Sequence, residues 1–353
     1  MKRNRYIGYI VAVVAMTTMA ACSVIDDDLD DCDANFQLVY ELRLITNMNT
    51  ELTTELDEES DQWVATALKQ YLEPIFTDYA YDVNLSFFDV EGDSAILHRE
   101  THIMDANQTS YTLYLPVRQY MHTAVANVMN NPLVNIRNND QCHKGTLAQV
   151  ANDTITPHTT GIFTARLPMD IYEHTDQTFS VHLYMANCAT ALVLDSAGVT
   201  VDNIEVYASG FATDYYLADS AYMFRRANTT SVHADHVVAE QGTKDCYCTV
   251  NYPSPEAPLT QTKERSRLIV DTEGPFLADK AEDALWRYDC YVTLHDGSTT
   301  RTELFVTLPL RAGQLKIIKG WVLENGSIRT NDNEIATSIT IDWKSGLEID
   351  SQR

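Results

Sequence analysis

Apolar and polar residues alternate at every second position along much of this chain, and one stretch keeps a different rhythm for long enough to form a helix. Phe36, Leu38, Tyr40, Leu42 and Leu44 fall on one face of an extended segment, Phe36–Ile45, because side chains two apart share a face of a strand. A polar run from Asn47 to Ser60 reads as a loop. The period then changes. Trp63, Ala67, Tyr71 and Ile75 recur every fourth residue, joined by Val64, Leu68 and Leu72, which is the apolar stripe of a helix over Asp61–Phe76. Asp57 or Ser60 can cap its start, and Pro74, with no N–H to donate, weakens its last turn.

Strand signals dominate from there on. Asp82–Val90, Ala95–His98, Tyr111–Leu115 ahead of Pro116, Tyr120–Val128 and Gly161–Ile171 form a first series. Together with the helix they predict a β-sandwich domain over residues 33–176. A second series opens with Phe179–Cys188 and continues through Asn203–Phe211, Ser231–Ala239, Cys246–Tyr252, Ser266–Asp271 and Trp286–Leu294. Asp296-Gly297 reads as a hairpin turn into Thr302–Leu308, and Asn325-Gly326 as another after Trp321–Leu323. In the closing segment Ile335, Thr337, Ile339, Ile341 and Trp343 share one face, with Ser338, Thr340, Asp342 and Lys344 on the other. Many short strands separated by turns predict a second sandwich over 177–353. The Pro-rich stretch Tyr252–Pro258 is a surface loop.

The N-terminus has a different character. Lys2, Arg3 and Arg5 precede an apolar core from Tyr6 to Met16, and Met19-Ala20-Ala21-Cys22 follows. The apolar core is well short of the ~20 residues a spanning helix needs. The segment reads as a lipoprotein signal peptide, 1–21, cut before Cys22, whose thiol takes up acyl chains such as palmitate. Residues 22–32 form a lipidated acidic linker, with Ile25-Asp26-Asp27-Asp28-Leu29-Asp30-Asp31-Cys32 at its centre. As a run of like charge it repels itself and spaces the body from a membrane. The expected location is outside the cytoplasm, tethered by lipid.

Charge and cysteine content narrow the class further. The formal net charge of the 353-residue chain is -25, the wrong sign for nucleic acid or for adhesion to anionic lipid headgroups. Membrane attachment must therefore come from acyl chains, and stable anchoring takes more than one of them. Apart from Cys22 there remain Cys32, Cys142, Cys188, Cys246, Cys248 and Cys290. An even number permits disulfides in an exported protein but leaves their pairing open. Bridges would in any case be sparse over this length, so hydrophobic cores must hold the fold.

No Gly-x-Ser-x-Gly elbow, His-Glu-x-x-His motif, phosphate loop or dinucleotide fingerprint is present in the sequence, so no enzyme activity and no cofactor are expected. His233 and His236 with Cys246 and Cys248 could in principle offer zinc a tetrahedral set, but the spacing is not that of a zinc knuckle; no metal site is expected. Trp63, Trp286, Trp321 and Trp343 lie in periodic segments and read as core.

The ordered residues resemble the fimbrillin-associated anchor lipoproteins of Bacteroides-type fimbriae. The resemblance rests on Cys22 with its acidic block, on Phe36–Leu44 running into Asn47-Met48-Asn49, and on Phe87-Phe88-Asp89-Val90-Glu91-Gly92. It continues with Leu113-Tyr114-Leu115-Pro116, Tyr120 and Ala124-Val125-Ala126-Asn127, then Phe179–Leu183, then Ile339–Trp343. Two departures stand out: Val117-Arg118-Gln119 intervene where the family usually has Gly before the following Tyr, and Asp26 occupies a position often aromatic. The resemblance implies a mostly β protein with two tandem transthyretin-like β-sandwich domains and one helix in the first. It also implies lipidation at Cys22, placement in the outer membrane, surface exposure and a role in cell adhesion: holding the base of a fimbrium, with fimbrial subunit proteins as partners. Such subunits join by strand exchange, in which an incoming strand completes another subunit's open sheet. The Ile335–Trp343 strand, with Ile335, Thr337, Ile339, Ile341 and Trp343, or an open edge of the first domain, is where that contact is expected. The alternative is a surface glycan-binding lipoprotein, with Tyr215-Tyr216 or Tyr79 and Tyr81 as stacking platforms. A lipid-anchored hydrolase is a third reading, weakened by the missing motif.

Overall fold

The computed structural model describes residues 35–45, 62–76, 80–90, 96–103, 110–137, 145–173, 177–225, 230–237, 244–257, 269–271, 284–331 and 335–342. The signal peptide, Cys22, the acidic linker, the Asn47–Ser60 loop with both candidate caps, Tyr79 and Trp343 lie outside them. In chain order the first elements are β1 (Asn35–Ile45), α1 (Gln62–Leu72), β2 (Asp82–Asp89), β3 (Ile96–Ile103), β4 (Ser110–Pro116), β5 (Gln119–Ala126), β6 (Val134–Arg137) and β7 (Thr146–Gln149). Next come β8 (Thr154–Ile155), β9 (Phe163–Asp170), β10 (Gln177–Met185), β11 (Cys188–Asp195), β12 (Val201–Ser209), β13 (Asp214–Tyr216), β14 (Ala221–Arg225) and β15 (Ser231–His233). The last are β16 (Asp235–Val237), β17 (Lys244–Asn251), β18 (Ile269–Asp271), β19 (Trp286–Leu294), β20 (Thr299–Val306), β21 (Leu315–Val322), β22 (Ile328–Thr330) and β23 (Ile335–Asp342).

These strands form four sheets around three cores. A seven-stranded sheet runs β3-β2-β5-β9-β10-β1-β4, a five-stranded sheet β16-β17-β11-β21-β22, a six-stranded sheet β23-β20-β19-β12-β15-β8, and a smaller sheet β18-β14-β13-β7-β6. The first core joins the helix (Val64, Leu68, Leu72), the inner face of the seven-stranded sheet (Leu85, Leu113, Leu183) and one face of the five-stranded sheet (Ala189, Ala191, Val193). Leu192 and Leu194, on the other face of the same strand, enter the second core with Val206, Tyr288, Val292 and Leu304 of the six-stranded sheet. The third core lies under the smaller sheet, around Val125, Leu147, Tyr215 and Phe224. The molecule is thus mostly β, built from stacked sandwiches and, among the described residues, one helix. The division at 176/177 remains a proposal: β10 pairs in parallel with β1 inside the seven-stranded sheet, and the chain passes to the next sheet between Met185 and Cys188.

Asn187 fixes that crossing. Its Oδ1 accepts from the Ile162 N–H at 2.6 Å, and its Nδ2 lies 2.8 Å from His158 Nδ1. His158 Nε2 lies 3.0 Å from Gln149 Oε1. If Nε2 carries the proton, every group in this chain has its partner, and the ring is neutral. Burial drives the His158 pKa down to about 4. His122, likewise fully buried, stacks on Phe87 with centroids 4.3 Å apart, places Nδ1 3.0 Å from the Ser86 carbonyl, and is pushed down to about 3. Desolvation disfavours the charged imidazolium in both.

Several expected elements change shape for definable reasons. The helix ends at Leu72, not Phe76, because Pro74 cannot continue it; Phe76 N still reaches Leu72 O at 2.9 Å. The strand expected to reach Val128 stops at Ala126 because Asn127 adopts φ 66 and donates from Nδ2 to Gly161 O at 2.7 Å. Asn tolerates that left-handed conformation better than most residues. Ser231–Ala239 is not one strand: β15 pairs with β12, β16 pairs with β17, and Ala234 carries the chain between the two sheets. Phe179–Cys188 likewise divides, its last residue opening β11.

Candidate strand-accepting edges

An edge strand turns half of its N–H and C=O groups away from the sheet, and these can pair with another chain unless something blunts them. Among the described residues the four sheets end in eight strands: β3 and β4, β16 and β22, β23 and β8, β18 and β6. Five of these are too short to template a ladder: β8 has 2 residues, β16, β18 and β22 have 3 each, and β6 has 4. β3 is longer, but it carries Arg99 and Glu100, and its register against β2 shifts between Phe87 and Phe88. Charge and irregularity are the usual protections of an edge.

β4 has neither, and β23 has only Asp342 at its end. β4 reads Ser-Tyr-Thr-Leu-Tyr-Leu-Pro, uncharged through all 7 residues. Tyr111, Leu113 and Leu115 are buried in the first core, while Ser110, Thr112 and Tyr114 are exposed, Tyr114 at 55%. Its other side pairs with β1, from Asn35 opposite Pro116 to Glu41 opposite Ser110, without a register shift. β23 reads Ile-Ala-Thr-Ser-Ile-Thr-Ile-Asp, 8 residues with one charge at the end. Its ladder with β20 runs unbroken from Ile335 opposite Val306 to Asp342 opposite Thr299.

The register gathers the residues expected to bind a partner into one row. Ile335, Thr337, Ile339 and Ile341 stand opposite Val306, Leu304, Thr302 and Thr300, four of the five buried members of β20. Trp343 lies outside the described residues. The β20 row is itself held from the neighbouring sheet. Thr300 Oγ1 donates to Asn325 O at 2.6 Å and Thr302 Oγ1 accepts from Ile328 N at 3.0 Å, so the Asn325-Gly326 turn stitches β22 to the strand beside β23. Gly326 is required there: it has φ +78, and a Cβ would meet Thr300 Oγ1 at 3.0 Å. Chemically, such an edge does one thing. It offers an incoming strand about eight backbone bonds, each worth roughly 0.5–1.5 kcal/mol net.

Other sequence candidates are dispersed. His233 lies tilted against the Tyr207 ring, with centroids 4.8 Å apart, while His236 pairs with Asp245 at 2.9 Å. Cys246 and Cys248 are buried in the first core, Cys188 and Cys290 in the second, and all four are free thiols. Burial raises the pKa of Cys188 and Cys248, which keeps them protonated. No group of three His, Cys, Asp or Glu able to hold a metal occurs among the described residues. Tyr215 and Tyr216 are buried rather than presented as a platform, whereas Tyr81 is exposed. Trp286 is core, as its periodicity predicts, but Trp321 is 40% exposed beside Leu323. β21 alternates, and Trp321 falls on its outward row. The β4 edge was foreseen only as an unspecified edge. Its signal was the uncharged alternating run ending in proline.

No described protein family and no curated protein matches the sequence. Among solved structures, the chain is similar to a candidate adhesin from Bacteroides ovatus (10% identity, TM-score 0.49, covering 89% of this chain and 97% of the other). It is also similar to a candidate polysaccharide-binding protein from Bacteroides thetaiotaomicron (11% identity, TM-score 0.46, 85% and 99%). A third similar structure is the fimbrial anchor protein Mfa2 from Porphyromonas gingivalis (12% identity, TM-score 0.40, 74% and 79%).

Proposed function

We propose that this protein is an outer-membrane lipoprotein, acylated at Cys22, that anchors the base of a fimbrium by pairing an open sheet edge with a strand of a fimbrial subunit. The observation that carries the reading is the pair of long, regular edges, β4 without a charge and β23 with only Asp342 at its end, where the other edges among the described residues are short or blunted. The Cys22 junction and its acidic block support the lipid attachment. The protein binds in this reading and catalyses nothing.

The test uses the full chain expressed in its own envelope. Adjacent N–H groups on a strand point to opposite sides, so of Ser338→Pro and Ile339→Pro one removes an outward donor and the other a donor to β20. The outward one, and Thr112→Lys with Tyr114→Lys on β4, should abolish co-purification of fimbrial subunits from outer membranes without altering the thermal midpoint by more than a few degrees. Subunit capture that survives blocking of both edges refutes strand acceptance. Cys22→Ala should lose palmitate label and sedimentation with envelopes; retention of both refutes the anchor.

A further inference from the structure

The outer face of the six-stranded sheet carries a trough of about 460 Å³ that the edge contacts leave free. Its floor is Glu205 and Tyr207 from β12, Arg287, Asp289 and Tyr291 from β19, and Arg301 from β20. It continues past Ser231 on β15 to Thr154 on β8. Five adjacent strands at the usual spacing give a span of roughly 19 Å, long enough for several linked rings rather than one.

Opposite charges on the floor are interlocked. Arg287 Nε lies 3.0 Å from Asp289 Oδ2, and its Nη1 lies 3.2 Å from Glu303 Oε1. Arg301 Nη2 donates to Asp289 Oδ1 and, at 2.9 Å, to Glu303 Oε1. The lattice neutralises itself and holds both guanidiniums still, so a ligand meets donors and acceptors already ordered. Arg301 Nε is buried without a hydrogen-bond partner among the described residues. Rings complete the surface: Tyr207 and Tyr291 meet edge to face at 6.0 Å, and the Arg301 guanidinium carbon lies 5.8 Å from the Tyr291 centroid. A plain solvated sheet face also carries cross-strand ion pairs. This face differs in being concave, in its hydroxyl-lined far end, and in the aromatic rings beside the charges.

We propose that this trough binds a neutral oligosaccharide. Fixed carboxylates and guanidiniums match neighbouring sugar hydroxyls, and tyrosine rings match the C–H faces of sugar rings. The floor sets three carboxylates, Glu205, Asp289 and Glu303, against two guanidiniums, and the chain carries -25 overall, which disfavours a polyanion. The polar lining disfavours a lipid or another apolar ligand. The proposal is independent of the anchoring reading.

The experiment is calorimetric titration of the full chain in detergent with neutral hexasaccharides of glucose, mannose, xylose and galactose, and with heparin as the polyanion control. At least one neutral sugar should bind with Kd below roughly 1 mM, and Tyr291→Ala and Ser231→Ala should each weaken it at least about tenfold. Tyr172→Ala, on an exposed tyrosine elsewhere, should not. Ser231→Ala is the mild variant, since a missing hydroxyl leaves the strand intact; unchanged thermal midpoints certify the fold. The proposal is overturned if no neutral sugar binds, if binding survives both trough variants, or if heparin alone binds.

Discussion

Lowering the pH from 8 to 5 should destabilise this protein through two buried imidazoles. His158 has its pKa lowered to about 4 and His122 to about 3, both by burial, whereas in the unfolded chain each titrates near 6.5. The unfolded state therefore binds more protons between the two values. The sign follows: stability is full above about 6.5 and is lost as the pH falls toward the folded pKa. At pH 5 the unfolded imidazole has gained about 2 kcal/mol from protonation and the folded one almost nothing, so the two residues together cost about 4 kcal/mol. That is a large share of the roughly 5–15 kcal/mol that holds a domain folded.

The assay is urea unfolding at pH 8 and pH 5 of the wild-type chain and of His122→Phe. Phenylalanine keeps the ring stacked on Phe87, 4.3 Å away in the native protein, and removes the titration. Its baseline cost at pH 8, including the lost contact to the Ser86 carbonyl, drops out of the comparison. So do the carboxylates, which are common to both proteins. The stability lost between pH 8 and pH 5 should be smaller by about 2 kcal/mol in the variant. Equal acid sensitivity in the two proteins refutes the argument, because it would mean that His122 takes up its proton without unfolding.

Three further outcomes follow from single contacts. Gly210 has φ +99, and a Cβ there would lie 2.7 Å from Trp286 Cα, so Gly210→Ala should lower the urea-derived stability by at least about 1 kcal/mol. Tyr71 donates to Asp235 Oδ2 at 2.6 Å, tying α1 to β16, and burial raises its pKa so that the donor proton stays on; Tyr71→Phe should cost roughly 1 kcal/mol, read by the same titration. Cys188, Cys246, Cys248 and Cys290 are buried thiols, so mass-mapped alkylation should leave these four unmodified in the native protein and label all of them in denaturant.

Alternation made the solvated strands legible and hid the doubly buried ones. β4 shows exposed and buried residues in strict turn, and the sequence locates it to within a residue or two. β11, Cys-Ala-Thr-Ala-Leu-Val-Leu-Asp, is buried along nearly its whole length, because its two faces serve two cores. A strand covered on both sides has no polar face to create a period, and here Ala189 and Leu192 are equally apolar while lying in different cores. The Ser231–Ala239 run failed for a related reason. It reads as one run, Ser-Val-His-Ala-Asp-His-Val-Val-Ala, without a Gly or Pro to break it, but Ala234 hands the chain from one sheet to another, and hydropathy carries no mark of a change of partner. The β23 edge was legible as a strand with a marked apolar row. That it ends a sheet depends on where β20 and β19 lie, which is long-range pairing and not a local property. The trough was legible only in part: Arg287 and Arg301 lie on one hairpin across the Asp296-Gly297 turn, whereas Glu205 comes from β12, far away in sequence, and joins them only through β-pairing.

The placement of β1 bears on how an anchor would carry load. β1 is the first described strand after Cys22, and it is not at an edge: it pairs in parallel with β10 over eight positions, Leu38 to Ile45, and antiparallel with β4 over seven, Asn35 to Glu41. A pull from a lipid at Cys22 would enter the described body at Asn35, the N-terminal end of β1. Force along a strand axis shears two ladders together and so must break many bonds at once, whereas force across an edge peels bonds singly. The β4 edge is the next strand over. A subunit strand paired there would sit one strand from the tether, inside the same seven-stranded sheet, and the load would pass through backbone hydrogen bonds without crossing a hydrophobic core. At β23 it would instead pass through β20, β19 and β12 and then along the chain through β11 and β10 before reaching β1. The longer path adds strand pairs that can shift under load. On mechanical grounds, then, the β4 edge is the better seat for a strand under tension, and β23 for a contact that sets orientation.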